Sequence, residues 1–145
     1  METLFNKIVA RISTEVPEIK WTDLDKGQIN NFDIKPPILY PAVLIGLQLS
    51  RTLDMDNAGK VQECNALVNI RLVVDYSGNT SAVTPEAERE KSMAYFRLAD
   101  KVYKALQGWG DPAFNELSRQ SLREEQRPDG LKVINMPFTT AYIDR

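Results

Sequence analysis

The sequence predicts an α+β fold: a mainly antiparallel sheet of about five strands with two helices packed on one face, in the order α-β-β-β-α-β-β. Three observations predict it. Apolar residues recur at helical spacing near the start and again after residue 84, whereas the segments between and after them alternate with period two. Clusters of Pro, Gly, Asn and Asp fall between these stretches, where turns are needed. At 145 residues the chain is expected to form a single domain, 1–145, large enough to bury its own core. It contains no internal repeat and no low-complexity segment.

The first helix is marked by Leu4, Phe5, Ile8, Val9 and Ile12, which form one apolar stripe, and Pro17 ends it. A strand over 19–25 follows, with Ile19 and Trp21 on one face, and then a loop that Pro36 and Pro37 keep extended. The strand over 41–51 places Val43, Ile45, Leu47 and Leu49 on one face, and Pro41 stands at its first residue, where a missing amide costs least. A polar connection over 52–60 leads into a strand over 61–76, which makes the pair a long antiparallel hairpin. After a turn-rich loop, Thr84 is a suitable N-cap, Pro85 fits the first helical position, and Glu86 complements the helix dipole. The second helix runs to about residue 107, with Met93, Phe96, Leu98, Ala99, Val102, Tyr103 and Leu106 as its apolar set. Gly108 is its expected stop, and Trp109 folds back on the last turn. The remainder reads as a hairpin: a polar strand SRQSLREEQR, a PDG turn, and a strand with Ile134, Met136, Phe138 and Tyr142 on one face.

The strand over 61–76 raises the functional question. One face is apolar, with Ala66, Val68, Ile70, Leu72, Val74 and Tyr76. The other carries Asn65, Leu67, Asn69, Arg71, Val73 and Asp75, neither plainly solvent nor plainly core. Such a face looks at another protein chain, or else Leu67 and Val73 are scattered surface apolars or lie under a loop of the same chain. The 52–60 connection, with Asp54, Met55, Asp56 and Asn57, is longer than a usual hairpin turn and is expected to project from the sheet, either onto a neighbouring copy or the next ring or as a floppy tip that touches nothing. Arg119, Arg123 and Arg127 are spaced by four on one face of the polar strand, which reads either as a solvated edge or as an edge that pairs with another chain.

Composition excludes several classes of function. There is no histidine, which removes the commonest general base and metal ligand and every Ser-His or Cys-His nucleophile. The lone Cys64 has core parity and reads as a small buried hydrophobe; with no second cysteine, a reducing compartment is the simpler expectation. Asp23 and Asp25 share a face without a third ligand nearby and read as a solvated strand end. The stretch DMDNAG begins like a calcium loop but fails at Ala58 and Asn65, so it reads as a polar hairpin tip. No glycine pattern cradles a phosphate. A net charge of −2 does not favour a nucleic-acid binder, and the apolar run PAVLIGL is too short to span a bilayer. Neither catalysis nor a cofactor is expected, and the chain reads as a soluble intracellular product with no signal peptide.

The pieces VPEIKWTDLDKGQ, PPILYPAVLIGLQL, IRLVVDY, VYKALQGW and FTTAYID, behind an amphipathic first helix, together resemble the small tail terminator or tail completion proteins of long-tailed bacteriophages. The resemblance covers nearly the whole chain. It implies an α+β domain that forms a homohexameric ring on the head-proximal end of the tail tube, ends tube polymerisation and meets the head connector or a head-completion protein. It also implies assembly in the host cytoplasm, a place in the virion at the head-tail junction, and DNA passing through the ring lumen without sequence-specific contact. A head-completion protein, another virion adaptor or a small protein-binding module would share these features.

Overall fold

The computed structural model describes residues 1–75 and 85–145, and within the second helix all side chains except those of residues 85, 86, 88, 89, 91 and 92. Tyr76, the turn-rich loop and the Thr84 cap fall outside the described residues, as does the Glu86 side chain. The elements are α1 (Glu2–Glu15), β1 (Trp21–Leu24), β2 (Ala42–Asp54), β3 (Gln62–Asp75), α2 (Pro85–Leu106), β4 (Ser118–Arg119), β5 (Arg123–Glu124) and β6 (Leu131–Asp144). The α+β architecture is the expected one, with a sixth strand because the polar segment is split in two.

The strand order is β1-β2-β3-β6-β4, with β5 also on β6. The β2–β3 and β3–β6 pairs are long and antiparallel, and β3 is the central strand. One pairing departs from a simple antiparallel reading: β1 runs parallel to β2, Trp21 opposite Ala42 through Leu24 opposite Ile45. A parallel neighbour needs a long return connection, and the 25–41 segment supplies it by crossing over one sheet face.

Both helices pack on the opposite face. There Leu4, Ile8 and Ile12 of α1 meet Val43, Ile45, Val68, Ile70, Leu72, Ile134, Met136 and Phe138, all buried in one cluster. Full burial of side chains of this size stabilises by roughly 1.5–3 kcal/mol each, and Phe138 is among the largest fully buried ones. Among the described side chains of α2 the buried ones are Tyr95, Ala99, Val102, Ala105 and Leu106. Met93 and Phe96, expected to face the sheet, are instead 42% and 48% exposed, because they flank the stripe that Tyr95, Ala99, Val102 and Leu106 set at helical spacing. Gly108 ends α2 with φ at +71°, and the Trp109 amide bonds the Leu106 carbonyl at 3.1 Å, as a returning C-terminal turn requires. Trp109 then packs edge-on against Phe114, with ring centroids 5.2 Å apart. Cys64 is 1% exposed in the core between the strands.

The polar segment before β6 is one strand interrupted by a bulge. Ser118 and Arg119 oppose Thr139 and Phe138, and the Gln120 amide bonds the Pro137 carbonyl. Arg123 and Glu124 oppose Asn135 and Ile134, so this side takes three steps where β6 takes two. The extra residue swaps faces. Arg119 therefore turns to the helix side and Arg123 to the other, which corrects the expectation that Arg119, Arg123 and Arg127 share one face.

Candidate functional site

The face of the sheet away from the helices is divided into two halves. Its near half, at the β1 end, is closed by the 26–41 loop: Ile29, Ala42, Leu44, Val73, Leu131 and Val133 form a second buried cluster, with Trp21, Ile38 and Tyr40 packed against it. Beside that cluster lies a chain of charges. Arg71, 8% exposed, bonds Asp25 at 3.0 Å, Asn30 at 3.2 Å and Glu125 at 2.8 Å. Glu125 also accepts from Asn135 at 2.8 Å and from Arg127 at 3.1 Å. Arg127 forks onto Asp129 at 2.6 and 3.0 Å and donates to the Ile29 carbonyl, with the Phe32 ring 4.5 Å from its guanidinium carbon. Signs therefore alternate along Asp25, Arg71, Glu125, Arg127 and Asp129. The network ties both irregular segments, 25–41 and 120–130, to the central strand.

The backbone aims these groups. Gly27, with φ at +82°, makes the turn after β1, and its amide bonds the Asp25 carboxylate at 3.0 Å, which holds that carboxylate beside Arg71. Burial works to raise the Glu125 carboxyl. The Asn135 hydrogen bond, the Arg71 charge and hydrogen bond, and the Arg127 hydrogen bond outweigh it and hold the group below its ordinary value. Asp129 is held low chiefly by its hydrogen bond from Arg127, against burial. Replacing a paired, hydrogen-bonded buried network of this kind by apolar groups is often neutral, whereas deleting one partner is strongly destabilising. Its chemistry is structural: every carboxylate in it accepts from a fixed donor.

The far half of the same face is bare. Beyond Ile45, no strand among the described residues pairs with the outer side of β2, and residues 48–60 are all exposed. Because the Ile45 carbonyl accepts from the Asp25 amide on that side, alternation points the backbone groups of Leu47 and Leu49 at the same open edge. A bulge between Leu49 and Arg51 then shifts the register, so that Arg51 opposes Asn65 and Leu53 opposes Glu63. The bare face thus carries Leu53 (50% exposed) and Ile143 (40% exposed), with Leu67 half-buried beside them and Arg51 and Glu63 at their side.

The residues singled out in the sequence are distributed over these two halves. Arg71 and Val73 lie under the chain's own segments, Val73 fully buried, so the alternative of cover by a loop of the same chain holds for them. The physical reason is the parallel β1, whose return connection has to cross that face. Leu67 and Asn69 remain half-buried, Asn69 reaching Asn135 at 3.4 Å. The hairpin tip is shorter than expected, 55–61, because β2 continues to Asp54. Asp54 accepts from the Gln62 side chain at 2.7 Å, and Asp56 accepts from the Lys60 and Val61 amides at 2.8 and 3.1 Å. Met55 and Asn57 are exposed. Arg119 lies 3.9 Å over the Tyr103 ring, Arg123 is exposed, and the Arg127 side chain is 2% exposed inside the network.

Sequence reasoning missed Asp25, Glu125 and Asp129 as the partners of Arg71 and Arg127. The signal was an arginine in mid-strand among apolar residues, which demands acids; nothing local said which ones. Elsewhere, a cleft of about 500 Å³ at the far end of the sheet is lined by Leu4, Glu63, Asp111, Phe114 and Tyr142. Asp111 is held below its ordinary value by the Ala113 amide and by Lys7 at 3.1 Å, so it too is spent on structure. Among the described residues, no group of three or more His, Cys, Asp or Glu is placed to hold a metal ion, and no helix is long and apolar enough to cross a membrane.

Fold and site together define a helix-backed sheet with one half-covered face and an open strand edge, an arrangement suited to contact with other chains. No known protein family matches the sequence, and no characterised protein matches it either. Among solved structures, a chain of the virion of a native gene transfer agent particle aligns over 94% of this chain and 84% of its own, at 13% identity and a TM-score of 0.46.

Proposed function

We propose that this protein is a structural virion component that caps the head-proximal end of a phage tail tube as a ring of six copies, acting as a single domain without catalysis. In this role it ends tube growth and forms the joint to the head connector. The observation that carries the reading is the bare half-face beside an open β2 edge. A face with Leu53 and Ile143 exposed and Leu67 half-buried beside them, next to unpaired strand backbone, is a surface that another chain closes. Closed symmetry hides such edges without leaving one free at the end. The resemblance of the sequence to tail terminators selects this assembly among those with similar surfaces. The partners are further copies of the chain, the tail tube protein and a connector or head-completion protein. The exposed tip at Met55 and Asn57, with Asp54, Asp56, Leu67, Asn69, Arg119 and Arg123, supplies contacts, while Arg71, Val73 and Arg127 hold the shape of the face from inside.

Light scattering on the purified protein tests the ring, and imaging of assembled particles with a labelled copy tests the place. A label at the upper end of the tail tube is the expected result. A label within the head, or a species that stays monomeric with and without tail tubes, would refute the reading. A head-tail adaptor one layer higher is the runner-up, and the same imaging separates the two.

A further inference from the structure

The loop that closes the near half of the second face has an outer side as well as an inner one. Its inner residues Ile29, Ile38 and Tyr40 pack on the sheet. Its outer residues do not: Phe32 is 47% exposed, Ile34 62% and Leu39 57%. Both ends of the stretch are anchored: Asn30, the Ile29 carbonyl and Phe32 are held by Arg71 and Arg127, and Ile38 and Tyr40 pack on the sheet. An anchored loop that displays three large apolar side chains calls for cover.

We propose that the outer side of this loop covers the bare half of the same sheet face in a second copy, setting Phe32, Ile34 and Leu39 of one chain on Leu53, Leu67 and Ile143 of the next. Three features fit the two surfaces together. The bare half continues, along β2, β3 and β6, the face on which this loop already packs from within. Both patches carry exposed large apolar side chains. A flanking charge also matches: Asp33 precedes Ile34, while Arg51 lies beside Leu53. Seating Ile34 beside Leu53 brings Asp33 to Arg51, while Lys35 keeps its own pair with Asp75 at 2.6 Å. Among the described residues Asp33 and Arg51 form no ion pair within the chain, so this pair of charges is available at the rim, where it sets register and approach. A thick half set on a thin half of a neighbour also repeats from copy to copy, as a heterologous contact must.

The inference rests on the ring reading but fails separately from it. Two full-length single variants, Ile34→Cys and Leu53→Cys, are mixed, one carrying a mass tag, and joined with a short bis-maleimide; Cys64, 1% exposed, stays in place. Both sites are exposed, and circular dichroism checks the fold. The expected result is a 34-to-53 product at least about tenfold over either like-with-like product, a ratio equal to about 1.4 kcal/mol. With both cysteines in one chain, the ladder should run beyond two copies. An oligomer without the 34-to-53 product overturns this contact and leaves the ring standing. A ladder that stops at two keeps the contact and overturns the ring, and a monomer at every concentration overturns both. As a second readout, Arg51→Asp should weaken association roughly tenfold and Asp33→Arg in the same chain should restore it; failure to restore overturns the proposed pairing.

Discussion

Replacing Arg71 by methionine tests the account of the second face most directly. The substitution keeps an unbranched apolar stem but removes every bond to Asp25, Glu125 and Asn30, at 3.0, 2.8 and 3.2 Å. Breaking a buried pair by deleting one partner costs about 3–5 kcal/mol when the remaining charge is sealed from water. Here the orphaned carboxylates keep 17% and 23% side-chain exposure, and Glu125 retains Asn135 and Arg127, so the lower end applies. We expect a loss of about 3 kcal/mol. For a chain near this length each kcal/mol shifts Tm by roughly 2–4 °C, giving a fall of roughly 6–12 °C. Urea unfolding followed by fluorescence reads it, since Trp21 packs against the second cluster. The matched control is Arg97→Met, whose ion pair with Glu90 has side chains 59% and 71% exposed; it should cost less than about 1 kcal/mol. If Arg71→Met unfolds within about 0.5 kcal/mol of the parent, as an ordinary surface change would, the network does not hold the loop.

Acid should loosen the same region. Glu125 and Asp129 are held below their ordinary values of 4.5 and 3.8, so their contribution is full above those values and is lost as pH falls through the lower folded ones. Urea midpoints should stay level from neutral pH down to about 5 and then drop, less steeply in Glu125→Gln; an equal drop in that variant would count against the assignment. Phe138→Ala, in the centre of the helix-side core, should cost about 3–5 kcal/mol by calorimetry. Replacing residues 55–61 by Asn-Gly should keep stability within about 1 kcal/mol yet reduce tail capping. Capping at the parental yield would remove the tip from the interface.

How much was legible in the sequence depended on whether a signal was local. The α1 stripe, the Pro41 strand start and the Gly108 stop are periodic or punctual signals, and each element stands where those residues put it. The period-two reading of 61–76 correctly separated the core face, with Val68, Ile70 and Leu72 fully buried. It could not tell what covered the other face, because that depended on the parallel placement of β1. Parallel pairing leaves no mark in a four-residue strand; it follows from where a long connection closes. The arginines at 119, 123 and 127 misled for a related reason. A one-residue bulge has no composition signature, yet it reverses every side chain after it. Arg127 then leaves the edge for the interior, where Asp129 and Glu125 meet it.

The central position of β3 bears on the time the chain needs to fold. One of its neighbours, β2, is joined to it by a short turn, but the other, β6, is separated from it in sequence by the whole of α2 and the bulged segment. The local hairpin can form within microseconds, whereas closing the long loop that brings β6 to β3 has to be completed before its bonds reward it. Until then β3 presents a full unpaired side, apolar on the helix face, to any other strand in solution. Refolding at high concentration should therefore lose material to aggregation in proportion to the lifetime of that half-built sheet, and dilution should recover it.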